Sequence, residues 1–194
     1  LWAVEQGFTA MKVKVGIEPE ADLARVRAVR EAIGPEVMLG VDANGGWDAA
    51  TAVRLLPALA DAGIAFLEQP APEGDPRWLA RVRAAATVPV VADESLSTAT
   101  DALTLIANDA ADAFSIYVGM GGGIGEAVKV ATVADAARLH CTIGSNLELG
   151  IAQAAMINLA ISQPAIRPDL VPCDIISRFF YEGDIVREPL PVAG

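Results

Sequence analysis

Histidine is nearly absent from this sequence: His140 is the only one in 194 residues. Ser95 and Ser97 therefore have no histidine near them, and a serine hydrolase triad has no support. Cysteine is scarce too. Cys141 and Cys173 are the only two, and neither lies in a CxxC, which points to a reducing cytoplasm. Aromatic residues make up 5%, so Ala, Val, Leu and Ile must carry the core, as parallel α/β proteins require. There is no basic run and the formal net charge is −11, which argues against nucleic acid and against an anionic membrane surface. No apolar stretch reaches the roughly 20 residues of a membrane span, and no signal peptide is visible. A hydrophobic fraction of 53% excludes disorder, and the length suits one domain over residues 1–194.

What is present is a regular alternation of strand-like and helix-like segments. Strands are expected at Met11–Gly16, Val37–Val41, Ala65–Leu67, Val88–Ala92, Ala113–Val118 and Cys141–Gly144. The first helix opens at Pro19 and stops at Gly34, with Leu23, Val26, Val29 and Ile33 on one face. Asp48 caps the second, which Pro57 should kink or shorten. Asp75-Pro76 starts the third, and Thr98 with Asp101 resembles a capping box for the fourth. Two more run over Gly125–Leu139 and Leu147–Ile161.

Such alternation means a parallel sheet with right-handed crossovers. The steps Lys14 to Asp42, Asp42 to Glu68, Glu68 to Asp93 and Asp93 to Tyr117 are 28, 26, 25 and 24 residues. That period fits an α/β fold of the (β/α) barrel, TIM type, in which about 250 residues make eight units. A doubly wound sheet is the alternative, weakened by the lack of Gly-x-Gly-x-x-Gly after the first strand. Only six units are readable, and residues 1–7 read as the end of a helix. The barrel is therefore expected to be incomplete, without its first strand. A last strand is expected near Asp184–Arg187.

Polar residues stand at the strand ends. The strands close on Lys12-Val13-Lys14, Asp42-Ala43-Asn44, Glu68-Gln69-Pro70 and Asp93-Glu94-Ser95. In a barrel, those ends surround one mouth. Adjacent strands lie about 4.8 Å apart, so Asp42, Glu68 and Asp93 can converge on one ion. Three hard oxygen ligands suit Mg²⁺. Solvated loop acids are the bland alternative, but three at one phase of consecutive units argue for a site. Only three residues are lysine, and Lys12 and Lys14 share one face of one strand. Arginine stays protonated at working pH, whereas lysine can serve as a base.

Taken together, Gly7-Phe8-Thr9-Ala10-Met11-Lys12-Val13-Lys14-Val15-Gly16 and the three carboxylate motifs resemble the mandelate racemase and muconate lactonizing enzyme family of the enolase superfamily, over nearly the whole chain. The Asp at position 93 looks more like the muconate lactonizing subgroup. The resemblance implies that Asp42, Glu68 and Asp93 bind Mg²⁺, with Glu94 behind them. It implies Lys14 as the base and Lys12 as its partner at the substrate carboxylate. Asn44, Asn146 and Glu148 are expected near the substrate, although Glu148 reads equally well as a first-turn helix acid. The family also carries an N-terminal capping domain, absent from these residues, and its members are usually homo-oligomers.

Two positions depart from the family pattern. Tyr117 stands where the muconate lactonizing and dipeptide epimerase groups usually place a second lysine. An unperturbed phenol near pKa 10 is a poor base, though it can act as an acid; packing is the equal alternative. Asn146 stands where mandelate racemases use a histidine. Gly121–Gly125 before a helix reads as a carboxylate-holding turn or simply a tight turn, and Trp47 as a mouth residue or simple packing.

The expected function is Mg²⁺-dependent abstraction of the proton α to a carboxylate of a small organic acid, followed by dehydration or cycloisomerisation. An acid-sugar dehydratase, a racemase or epimerase, and a non-catalytic metabolite-binding paralogue are the alternatives.

Overall fold

The computed structural model describes residues 2–190. These residues group into two compact units, 2–95 with 104–112 and 96–103 with 113–190. Among the described residues, no helix is long and apolar enough to cross a membrane.

The first unit begins with a short helix, α1 (Trp2–Glu5), and then alternates β1 (Ala10–Lys14), α2 (Pro19–Ile33), β2 (Met38–Asp42), α3 (Ala49–Asp61), β3 (Phe66–Glu68), α4 (Pro76–Ala85) and β4 (Val90–Ala92). All three pairings are parallel and follow chain order. β2, β3 and β4 are covered on both sides and read as apolar runs, with Leu39, Val41, Leu67, Val90 and Val91 fully buried, whereas β1 is only half-buried along its length. Each such side chain contributes about 1.5–3 kcal/mol on burial. The helix signals at Pro19, Gly34, Asp48 and Asp75 act as anticipated, and Glu18 adds a cap not singled out from the sequence. Glu18, Asp48 and Asp75 accept backbone N–H bonds at the starts of α2, α3 and α4, and Gly34 closes α2 at φ 75°.

Several boundaries differ from expectation. α3 runs unbroken through Pro57 to Asp61, so the proline does not shorten it. β4 starts at Val90 rather than Val88, because Pro89 has no N–H and the Val90 amide donates to the Asp112 carboxylate (2.9 Å). The Asp184–Arg187 segment is not a strand. Asp184 instead accepts the Gly150 amide (3.0 Å), capping a helix start as an acid suited to that end of the dipole.

The second unit contains β5 (Ala113–Ile116), α6 (Ile124–Ala136), β6 (His140–Ile143), α7 (Gly150–Ser162) and a single 3₁₀ turn at Ser177–Phe179. β5 and β6 pair in parallel, Ala113 opposite His140 and Ile116 opposite Ile143. Phe114, Ile143, Met156 and Leu159 form its core. The helix α5 (Ala99–Ala107) starts on the expected capping box, Thr98 N–H to Asp101 at 2.7 Å and Asp101 N–H to Thr98 Oγ1 at 3.3 Å. α7 starts three residues later than expected. Residues 145–148 are consumed in a turn closed by Glu148, with Leu147 at φ 64°.

Candidate metal and proton-transfer site

Strand register assembles the site. Lys14 lies opposite Asp42, and Asp42 lies opposite Glu68. Residues that face one another across a parallel ladder project to the same face. Asp93 comes directly after β4. One carboxylate oxygen each from Asp42, Glu68 and Asp93 lies within 4.8 Å of the others. The three residues are 0%, 1% and 3% exposed.

Buried carboxylates this close repel one another and have lost their hydration. Burial pushes the Glu68 carboxyl up to about 8; Lys12 pulls it back, and Asp42 and Asp93 add to the rise. The lysines expected at the mouth supply part of the missing positive charge. Lys12 Nζ donates to Glu68 Oε1 at 2.8 Å and lies 3.7 Å from Asp42 Oδ2. Lys14 Nζ donates to Asp42 Oδ2 at 2.5 Å. Their situations differ: the Lys14 side chain is 59% exposed and that of Lys12 20%. Lys14 therefore touches both the acidic cluster and the space in front of it. The donor set, three convergent hard oxygens with buried excess negative charge, fits a divalent cation such as Mg²⁺.

The loops behind the carboxylates hold them in place. Asn44, in a left-handed conformation (φ 43°), donates its amide N–H to Asp42 Oδ1 at 2.8 Å. Its side chain bridges Glu94 Oε1 (2.7 Å) and Asp42 Oδ2 (3.3 Å). Glu94 is thus linked to Asp42 through the Asn44 side chain. Trp47 is buried, not lining the mouth.

Two residues of this region were not singled out from the sequence. Gln69 is fully buried at φ 32°; its Oε1 accepts the Asp93 amide (2.9 Å) and its Nε2 donates to Ser95 Oγ (2.7 Å) and to the Ala71 carbonyl (2.8 Å). It fixes the backbone that carries Asp93. Asp22, on α2, gathers the loop after Lys14. The signal for Asp22 was present: it lies in register with Val26, Val29 and Ile33 on the apolar stripe of α2.

The remaining expected residues lie in the second unit. Gly144 makes room for the Tyr117 ring, since a Cβ there would lie 2.1 Å from Tyr117 Cε2 and 2.6 Å from the buried Ser115 Oγ. Glu148 accepts from Ser145 Oγ (2.6 Å) and from the Asn146 amide (3.0 Å), so Glu148 and Asn146 share one turn. A small cavity is lined by Leu96, Ser97, Ile116, Tyr117, Ala127 and Val130.

Comparison with known proteins agrees with this geometry. Residues 1–194 match a family model described as Enolase C-terminal domain-like. The chain is 40% identical over 171 residues to a hydrophobic dipeptide epimerase of Enterococcus faecalis, covering 86% of the chain and 48% of that protein. The solved dipeptide epimerase from Enterococcus faecalis, complexed with Mg and the dipeptide L-Leu-L-Tyr, superimposes with a TM-score of 0.91 at 36% identity, covering 97% of this chain and 52% of that one. The 2-chloromuconate cycloisomerase from Rhodococcus opacus gives a TM-score of 0.91 at 32% identity, covering 99% and 54%. The chain spans about half the length of the curated relatives it matches.

Proposed function

The chain belongs to the enolase C-terminal domain-like family, with the α/β fold of an incomplete (β/α) barrel, and on that premise we propose that it removes the proton α to the carboxylate of a small organic acid, with Lys14 as the base. The observation that carries this reading is the placement of Lys14 Nζ on Asp42 Oδ2, at the edge of a buried carboxylate triad and half open to solvent. A lysine is a competent base only when its proton can leave, and a carboxylate α-proton is too weakly acidic to be taken without help. Mg²⁺ held by Asp42, Glu68 and Asp93 would supply fixed positive charge where negative charge develops on the substrate carboxylate. Lys12, behind Lys14 on the same face, holds positive charge at the same carboxylate. Asn44 and Glu94 keep Asp42 oriented.

The fate of the enolate depends on the acid that completes the reaction. Tyr117 can donate a proton but is a poor base. One-base outcomes, cycloisomerisation or loss of water, therefore fit these residues better than a two-lysine racemisation. An acid-sugar dehydratase belongs to the same class of outcome. Epimerisation is the second reading, favoured by the 40% identity to a dipeptide epimerase; it requires Tyr117 or another group to return the proton. Asn146 and Glu148 are assigned to substrate contact. Residues 1–194 are read as one domain, in a cytoplasmic homo-oligomer; the unpaired Cys141 and Cys173 suit a reducing compartment.

The test is proton exchange. The intact protein is incubated with Mg²⁺ in D₂O and a panel of dipeptides, the lactone of chloromuconate, N-succinyl amino acids and acid sugars, monitored by proton NMR. Loss of an α-proton signal that vanishes in Lys14→Ala is expected. Exchange that survives Lys14→Ala sinks the assignment of the base. No exchange with any class, in folded protein that binds Mg²⁺, moves the reading to a non-catalytic metabolite-binding protein.

A further inference from the structure

We propose that Asp22 is a positioning residue for Lys14, holding the end of the strand that bears the base against the loop after Asp42. The inference rests on the reading of Lys14 as the base.

The β1–β2 ladder ends with the Val15 amide on the Asp42 carbonyl (2.8 Å). Beyond that point Asp22 takes over the backbone. Its Oδ2 accepts the amides of Gly16 (2.9 Å) and Ile17 (3.0 Å) and the indole N–H of Trp47 (3.1 Å). Its Oδ1 accepts from Arg25, whose same nitrogen donates to the Lys14 carbonyl at 2.9 Å. One carboxylate, 1% exposed, thus ties α2, the loop after β1 and the loop after β2.

The two loops meet with no slack. Gly16 sits at φ 93°, and a Cβ there would lie 2.2 Å from the Ala43 carbonyl oxygen. A Cβ on Gly46 would lie 2.1 Å from the Gly16 carbonyl oxygen. Lys14 has a long, half-exposed stem, so the place of Nζ depends on where its backbone is held. Displacing a reacting group by about 1 Å can cost about 100-fold in rate.

Asp22 suits the task because it stays ionised. Burial pushes its carboxyl up, but the bonds from Arg25, Trp47, Gly16 and Ile17 outweigh this and leave it below its usual value. Four donors converge on two acceptor oxygens. Asparagine keeps one acceptor oxygen and turns an N–H₂ toward donors, so it cannot replace the carboxylate.

The test reads Lys14 directly, on the intact protein. Wild type, Asp22→Asn, Arg25→Gln and Trp47→Phe are pulsed with acetic anhydride, and acetylation at Lys12, Lys14 and Lys129 is mapped by mass spectrometry. Loss of the tether frees Nζ from Asp42. In Asp22→Asn, Lys14 should label at least about fivefold faster relative to Lys129, with Lys12 within about twofold of wild type. Arg25→Gln should show the same pattern more weakly. Trp47→Phe, which removes the one bond from Asp22 to the loop after β2 and keeps the other three donors, should raise Lys14 labelling in the same direction but more weakly than Asp22→Asn. Unchanged Lys14 labelling in folded Asp22→Asn overturns the proposal. So does a parallel rise at all three lysines, which marks general loosening. If Asp22→Asn does not fold, Arg25→Gln decides: unchanged labelling overturns the proposal. On any substrate that exchanges in D₂O, Asp22→Asn should lower kcat at least about tenfold with KM within about twofold. If labelling changes as expected but Lys14→Ala leaves exchange intact, the tether stands and the base assignment fails.

Discussion

Replacing Glu68 with glutamine should make the metal-free protein more stable and remove its response to Mg²⁺. Glu68 is 1% exposed and its carboxyl is raised from 4.5 to about 8, first by burial and then by Asp42 and Asp93 against the pull of Lys12. The folded state therefore binds this proton more tightly than the unfolded chain. Its contribution is most favourable below pH 4.5, is lost as pH rises toward 8, and is flat above that. Each pH unit in the window is worth about 1.4 kcal/mol, so at pH 7 the burden is about 3 kcal/mol. Glutamine is uncharged and nearly the same size, and its Oε1 can still accept the bond from Lys12, now 2.8 Å long. In EDTA at pH 7, guanidinium unfolding should show the variant more stable by about 3 kcal/mol, or about 6–12 °C in Tm. The gap should widen toward pH 8 and close below pH 5. Mg²⁺ at 100 times its Kd should then raise the wild type by about 2.7 kcal/mol and the variant by far less. A variant less stable than wild type in EDTA throughout this range would refute the reasoning, because Glu68 would then be a satisfied structural acid.

Two further outcomes test the framework around the site. Arg30 donates to four carbonyls, those of Ala62 (3.1 Å), Gly34 (2.7 Å), Val37 (2.8 Å) and Gly63 (2.9 Å). Arg30→Met should cost about 2–4 kcal/mol in urea unfolding, and Arg30→Lys should recover little of it, since an ammonium cannot span the fork. Gly144→Ala places a Cβ 2.1 Å from the Tyr117 ring and should destabilise by about 1–3 kcal/mol. Tyr117→Leu should relieve much of that cost in the double variant, a non-additivity that a double-mutant cycle reads directly.

Much of this molecule was legible from local chemistry. The alternation of elements, the caps at Asp48 and Asp75, and the stop at Gly34 are decided by residues within one turn of where they act. The steady strand-to-strand step also placed Asp42, Glu68 and Asp93 in phase: Asp42 lies opposite Glu68, and Asp93 lies two residues beyond Val91, the register partner of Glu68, and so on the same face. The boundaries that shifted involve distant partners. Val90 pairs with Asp112, 22 residues away, and Gly150 with Asp184, 34 residues away, and no local pattern announces either bond.

The pairing of each lysine with a particular carboxylate was likewise a matter of tertiary structure. The sequence determined that two lysines share a face; parallel register set Lys14 opposite Asp42, while Lys12, opposite the side-chain-free Gly40, reaches diagonally across β2 to Glu68. The same holds for Gln69 and Asp22. Their residue types made buried hydrogen bonding possible, and the apolar stripe on α2 marked Asp22 as an acid turned inward. Which amides they hold depends on loops brought together across the sheet. Composition and periodicity act over a few residues and so determine elements and their phase. The site needs groups from four strands held within ångströms, and only the packing of those strands sets such distances.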